Sequence, residues 1–300
     1  MTLSIAFSPC PNDTFVFHAL VHGLVPGAPR FDVTFADVDV TNTAAQTGAY
    51  DIVKVSFAAL PWLLDRYALL PCGGALGRGC GPLLLVRDTG ADTQGEADTQ
   101  GEANTQGEAD TQGGAGDLSG LDVAVPGDRT TAYLLMRLWS ALRPPKSVTI
   151  VPFNEIMPAV AAGRFDAGLV IHEARFTYQD HKLRALVDLG EWWESETGLP
   201  IPLGAILARR DILARHGASV EEIAEWIRTS VRHAWANPDA SREYVRSHAQ
   251  ETAQDVASRH IDLYVNDFTA NLGDEGYAAA AALLERSAAA GITPQAPPLR

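Results

Sequence analysis

Three hundred residues, 46% of them hydrophobic, are enough chain for one large core or for two lobes of ordinary size. A formal net charge of −14 argues against a nucleic-acid partner, because phosphate binding needs clustered lysine and arginine. No run of eighteen apolar residues offers a membrane span. The cysteines Cys10, Cys72 and Cys80 are odd in number and lack metal-ligand spacing, which suits a reducing setting. Residues 1–7 read as a strand and not as a secretion signal, so the expected location is cytoplasmic.

The first apolar run, 3–7, predicts a buried strand that ends in Ser8-Pro9-Cys10-Pro11-Asn12-Asp13-Thr14 and enters a helix over 13–22. Asp13 or Thr14 is placed to cap that helix, whose first amides have no partner within it. Such a junction either is a well-made turn or holds a polar ligand at the helix start, and Asn12 and Asp13 are candidate substrate contacts. A strand over 31–38 and a helix over 41–47 lead to a third strand, 51–55, closing on Lys54-Val55-Ser56. Period-two alternation puts Lys54 and Ser56 on one side and Val55 on the other. Ser56 is placed to cap a helix over 57–64; a snorkelling edge lysine beside a cap is the plain alternative to a ligand site. After a short strand at 69–70, the glycine-dense run 73–81 leads into a strand at 83–87. It is therefore no dinucleotide fingerprint, which would open a helix.

Residues 91–114 are four tandem hexads (ADTQGE, ADTQGE, ANTQGE, ADTQGG) with six carboxylates, no bases and no large apolar side chain. They cannot bury enough surface to offset their ordering entropy, so a disordered insertion is expected. Calcium binding is the sharper alternative, but the spacing matches no ligand loop.

The second half resumes with a strand at 122–125 and then Pro126-Gly127-Asp128-Arg129-Thr130-Thr131, where a threonine starts a helix over 130–142. Two hydroxyls beside helix-start amides form either an N-cap or a small cradle for an anion, not a Walker loop. A strand (148–151), a helix (155–162) and a strand (167–171) deliver His172 to a strand end, where an imidazole titrating near neutrality can accept a proton. Glu173 points the other way if the strand continues, and has no assigned role. Arg175, Phe176 and Tyr178 are candidates for a cation and aromatic walls, and Trp192 and Trp193 for a flat-ring pocket or for core. Strands at 185–189 and 204–208 precede four helices, over 220–236, 239–248, 252–265 and 274–290.

Alternating short strands and helices mark an α/β protein. Two βαβ blocks and a returning strand predict two lobes with a central cleft, with a single doubly wound sheet as second choice. The lobes are expected at 1–88 plus 205–300 and at 118–204, with 89–117 as the disordered insertion.

The segments SPCPNDTF, KVS, GGALGRGCGPL, PGDRTTAY, LVIHEARFTY and GEWWESETGLPIPLGAI together resemble the 1,4-dihydroxy-6-naphthoate synthases of menaquinone biosynthesis, in order and over nearly the whole chain. The resemblance implies a fold like the type II periplasmic binding proteins. It implies a lyase that converts cyclic dehypoxanthinyl futalosine to the dihydroxynaphthoate, with no metal or organic cofactor. The family's catalytic histidine falls on His172, and its substrate contacts on Lys54, Val55, Ser56, Thr130 and Thr131. His172 is then expected to remove a proton from the substrate's non-aromatic ring or its hydroxyls. Expected partners are this small molecule alone, with a monomer or a homodimer both open. The rivals are a solute-binding protein of the same fold and the related chorismate dehydratase.

Overall fold

A computed structural model describes residues 2–89, 116–249 and 254–300; the hexads at 91–114 lie outside the described residues. The strands are β1 (Thr2–Phe7), β2 (Arg30–Phe35), β3 (Ile52–Ser56), β4 (Tyr67–Leu69), β5 (Ala75–Gly77), β6 (Leu83–Arg87), β7 (Asp122–Val125), β8 (Ser147–Ile150), β9 (Ala167–Val170), β10 (Leu183–Asp188) and β11 (Ile201–Arg209). They form two sheets, in the orders β2-β1-β3-β11-β4, with β5 also on β11, and β10-β6-β9-β7-β8.

Parallel pairing of β1 with β2 and β3 requires crossover connections, which the helices Pro11–Val21 and Val38–Thr47 supply. The same logic gives the parallel β7–β8 and β7–β9 pairs, with the helices Thr131–Trp139 and Phe153–Ala161 between them. The returning strand β11 runs antiparallel to β3 and seats Gly204 opposite Ser56.

One expected boundary moves. β6 pairs antiparallel with β9 and β10, so the chain has left the first sheet before Leu83, not at residue 88. An antiparallel partner a hundred residues away leaves no trace in local periodicity. The crossing between the sheets is glycine-dependent: a Cβ on Gly81 would lie 2.2 Å from the backbone nitrogen of Gly190. Further elements lack an expected counterpart, among them β5 within the glycine-dense run and the helix Leu189–Thr197, which Asp188 caps by accepting from the amides of Gly190 and Glu191. The segment expected as a helix over 57–64 is a 3-10 turn, Phe57–Trp62, tightened around Pro61.

The helical tail completes the first lobe. Ser230, on the helix Val220–Ala236, donates to the carbonyl of Val16 at 2.6 Å and accepts from the amide of Leu20 at 3.1 Å. Around that joint Phe7, Phe15, Phe17, Ile223, Ile227 and Val231 form one apolar cluster. Fully burying a side chain of this size contributes roughly 1.5–3 kcal/mol each, before the entropy of ordering it.

Candidate functional site

Residues just past the carboxyl ends of β1, β3, β7 and β9 line one cavity of about 80 Å³ between the sheets. This is where open α/β sheets present their ligand sites. Ser8, Asn12, Lys54, Ser56, Thr130, Thr131 and His172 all face it, together with Gly204 and with His260 and Tyr264 from the tail.

Pro11 opens the first helix, and the residue at its N-cap is Cys10, which makes no side-chain cap. The expected capping by Asp13 or Thr14 is therefore corrected: proline at the first position already removes one unpartnered amide. Thr14 instead donates to the carbonyl of Cys10 at 3.0 Å. Asp13 is buried behind the cavity and does not line it. Its carboxylate binds Lys54 directly and accepts from Ser8 Oγ at 2.8 Å and Asn12 Nδ2 at 2.9 Å. One buried anion thus organises three cavity residues, and Asp13 is a holder of the site, not one of its walls.

Lys54 sits on a strand buried at all five positions. It has room because residue 204 is glycine; a Cβ there would lie 2.8 Å from Lys54 Cε. Ser56 makes no cap either, since its hydroxyl accepts from Asn42 Nδ2 at 3.1 Å and its amide donates to Asn42 Oδ1 at 2.8 Å. Val55 is fully buried in the apolar core on the other face of β3, as alternation requires, so its side chain does not line the cavity.

Across the cleft, Thr130 caps the helix Thr131–Trp139 by accepting from the Tyr133 amide at 3.2 Å. The Thr131 hydroxyl ties the lobes: it donates to the Leu203 carbonyl at 2.9 Å and accepts from the Ala58 amide at 3.2 Å. With both hydroxyls engaged, the first amides of this helix are the donors left for a ligand.

β9 ends at Val170, and His172 follows in a left-handed conformation, φ 54°. That hook, uncommon for a residue other than glycine, turns the imidazole into the cavity against the edge of Phe153. Burial and the charge of Lys54 bring its pKa down to about 3, so it stands neutral with a lone pair to offer. Because the strand stops, Glu173 does not point away. It is buried, with Oε2 3.9 Å from Cys10 Sγ and 3.9 Å from His260 Nδ1.

Arg175 is spent on Asp188 and on the Gly81 carbonyl at the crossing; Phe176 lies under Arg259; Trp193 is core, donating to the Pro200 carbonyl at 3.1 Å. None of these three, nor Tyr178 or Trp192, lines the cavity. Asn42, His260 and Tyr264 are neighbours of the cavity that sequence reasoning passed over, and Glu173 one to which it gave no role. The four-residue spacing of His260 and Tyr264, one face of a helix, was the available signal.

Cys10, His172 and Glu173 place ligand atoms within 4.8 Å of one another, a spacing that a metal ion can bridge. Burial and the neighbouring Glu173 push the Cys10 thiol well up, which keeps it protonated and a poor ligand.

A family model for menaquinone biosynthesis matches residues 3–289. The chain is 56% identical to a 1,4-dihydroxy-6-naphthoate synthase of Streptomyces coelicolor, covering 98% of this chain and 95% of that one. It is 42% identical to one of Thermus thermophilus, covering 98% and 97%. Among solved structures, a protein from Archaeoglobus fulgidus superposes with a TM-score of 0.81 at 30% identity, over 97% of this chain and 98% of that one. The alkanesulfonate-binding protein of Xanthomonas axonopodis does so at 0.66 and 16% identity, over 98% and 94%, which shows a shared periplasmic-binding-protein fold.

Proposed function

The chain belongs to the menaquinone biosynthesis family, and on that premise we propose that it is a carbon–carbon lyase converting cyclic dehypoxanthinyl futalosine to 1,4-dihydroxy-6-naphthoate, with His172 as general base. The relatives support the product; the observation that supports the base is the left-handed hook that aims a neutral His172 into the inter-lobe cavity.

In this reading the substrate's carboxylate and oxygens lie between Lys54, Ser8 and Asn12 on one side and the amides opening the helix at Thr131 on the other. The negative net charge of the chain is no obstacle, because local amides and the lysine set the field at this range. His172 draws a proton from a hydroxyl or the non-aromatic ring. From a hydroxyl, the O–H pair becomes the carbonyl of the fragment that departs, and the carbon–carbon pair stays on the ring as an enolate. Protonation and aromatisation drive the product forward. A positioned base of this kind is worth roughly 10²–10⁴ in rate. On this reading the protein acts in the cytoplasm on a small molecule and without an added cofactor, as a monomer or a homodimer.

The test is turnover by the purified protein, followed as naphthoate absorbance. Wild type is expected to form product, and His172→Asn to lose about a hundredfold or more in kcat while still binding product. Wild-type turnover by His172→Asn removes the base. Binding by wild type with no product formed leaves a solute-binding protein, and turnover of chorismate instead leaves the dehydratase.

A further inference from the structure

We propose that His260 is a second catalytic base of this site, oriented by Glu173, and that it takes a ring C–H proton when the product aromatises. The inference rests on the lyase reading above.

His260 comes from the helix Gln254–Tyr264 in the tail, yet it lines the same cavity as His172 and is only 1% exposed. Among the described residues its Nδ1 has no hydrogen-bond partner. A buried ring nitrogen left that way is costly, so its retention calls for a use. Glu173 Oε2 lies 3.9 Å from it, a gap that closes with a shift of about 1 Å as catalytic contacts tighten around a ligand. A proton on Nδ1 facing Glu173 leaves the lone pair on Nε2, the relation of carboxylate to imidazole in hydrolytic triads. The ring lies nearly parallel to that of His172, 22° apart with centroids at 6.3 Å, and Tyr264 covers it at 4.5 Å. Burial, with His172 and Lys54 close by, holds the imidazole well below the usual histidine range, so it too stands neutral.

Two neutral imidazoles on one wall fit a reaction that removes protons at two different atoms. After the first step His172 carries the proton taken from a substrate hydroxyl and cannot accept another. The O–H pair has become the carbonyl of the departing fragment, and the pair from the broken carbon–carbon bond stays on the ring as an enolate. In aromatisation a ring C–H bond then breaks, its proton passes to Nε2 of His260, and its electron pair becomes a ring C=C bond as the remaining ring carbonyl becomes a second enolate oxygen. The two oxygens take back one proton from His172 and one from His260, giving two hydroxyls. No electrons are gained or lost, and both imidazoles end neutral.

The test compares wild type, H260Q and H260A with cyclic dehypoxanthinyl futalosine. H260Q is expected to lose about a hundredfold or more in kcat with KM nearly unchanged. Added imidazole should restore part of the rate to H260A, which a merely structural role would not permit. Affinity for 1,4-dihydroxy-6-naphthoate checks that the variant site is intact, with H260N replacing H260Q if the latter fails. Wild-type kcat in H260Q, an effect on KM alone, or loss of product binding in both H260Q and H260N overturns the second base. Turnover by wild type matched in H260Q sinks this inference only; no turnover by wild type sinks the lyase reading and this with it.

Discussion

At the scale of single residues the site depends on charges taken out of water. Asp13 and Lys54 are both buried and bound to each other, and Ser8 and Asn12 satisfy the remaining carboxylate positions. Breaking such a pair from one side leaves an uncompensated charge, at a cost of roughly 3–5 kcal/mol. Asp13→Asn is therefore expected to lower unfolding stability by about that amount in urea titration; an unchanged midpoint would contradict the role given to Asp13. The histidines set a pH dependence. His172 is held to about 3 in the fold and His260 also below its ordinary range, whereas in the unfolded chain both titrate near 6.5. The unfolded state then binds more protons between those values. Stability is full above pH 6.5 and declines as the pH falls toward 3, by at most about 1.4 kcal/mol per unit for each histidine. His172 keeps some solvent contact, which reduces its share. Denaturation midpoints that stay level between pH 6.5 and 4 would show that these imidazoles are not held neutral.

At the scale of elements, the parts legible in the sequence were those with a local physical signature. The apolar runs of β1, β6 and β7 and the helical pattern over 220–236 mark their elements without help from the rest of the chain. β5 was illegible because three residues, Ala75–Gly77, in a glycine-dense run show no alternation; β11 alone makes them a strand. The helix Leu189–Thr197 has local signals, the Asp188 cap and the left-handed Gly198 that ends it, but its paired tryptophans fit a pocket wall equally well in sequence. In the site, Lys54, Ser56 and His172 could be placed because strand ends are where clefts form. His260 could not, because its helix is local while its approach to the cavity is a property of the tail's docking. The crossing between the sheets carries a sharper expectation. Gly81 and Gly190 meet backbone to backbone, so Gly81→Ala must push the two segments apart. It should cost about 1–3 kcal/mol by thermal denaturation, the range for overpacking. A neutral result would show that the crossing is loose.

At the scale of the molecule, two sheets joined by two crossings enclose a cavity of about 80 Å³, whereas ligand sites commonly span roughly 300–1,000 Å³. On the function proposed above, a substrate with a fused ring system enters only if the lobes part. Hydrogen bonds join the two lobes beside the cavity: Thr131 to Ala58 and Leu203, Asn42 to the Arg129 carbonyl, and Cys10 to Glu173. They hold His172 and the helix start of one lobe against Lys54 and the first turn of the other. The most direct measurement is a crystal structure of the His172→Asn protein with cyclic dehypoxanthinyl futalosine bound. The account requires the ligand between the lobes, its carboxylate or oxygens on Lys54 and the amides at Thr131, and its non-aromatic ring against residue 172. A ligand seated outside the cleft, or one whose reacting ring faces away from that position, would contradict it.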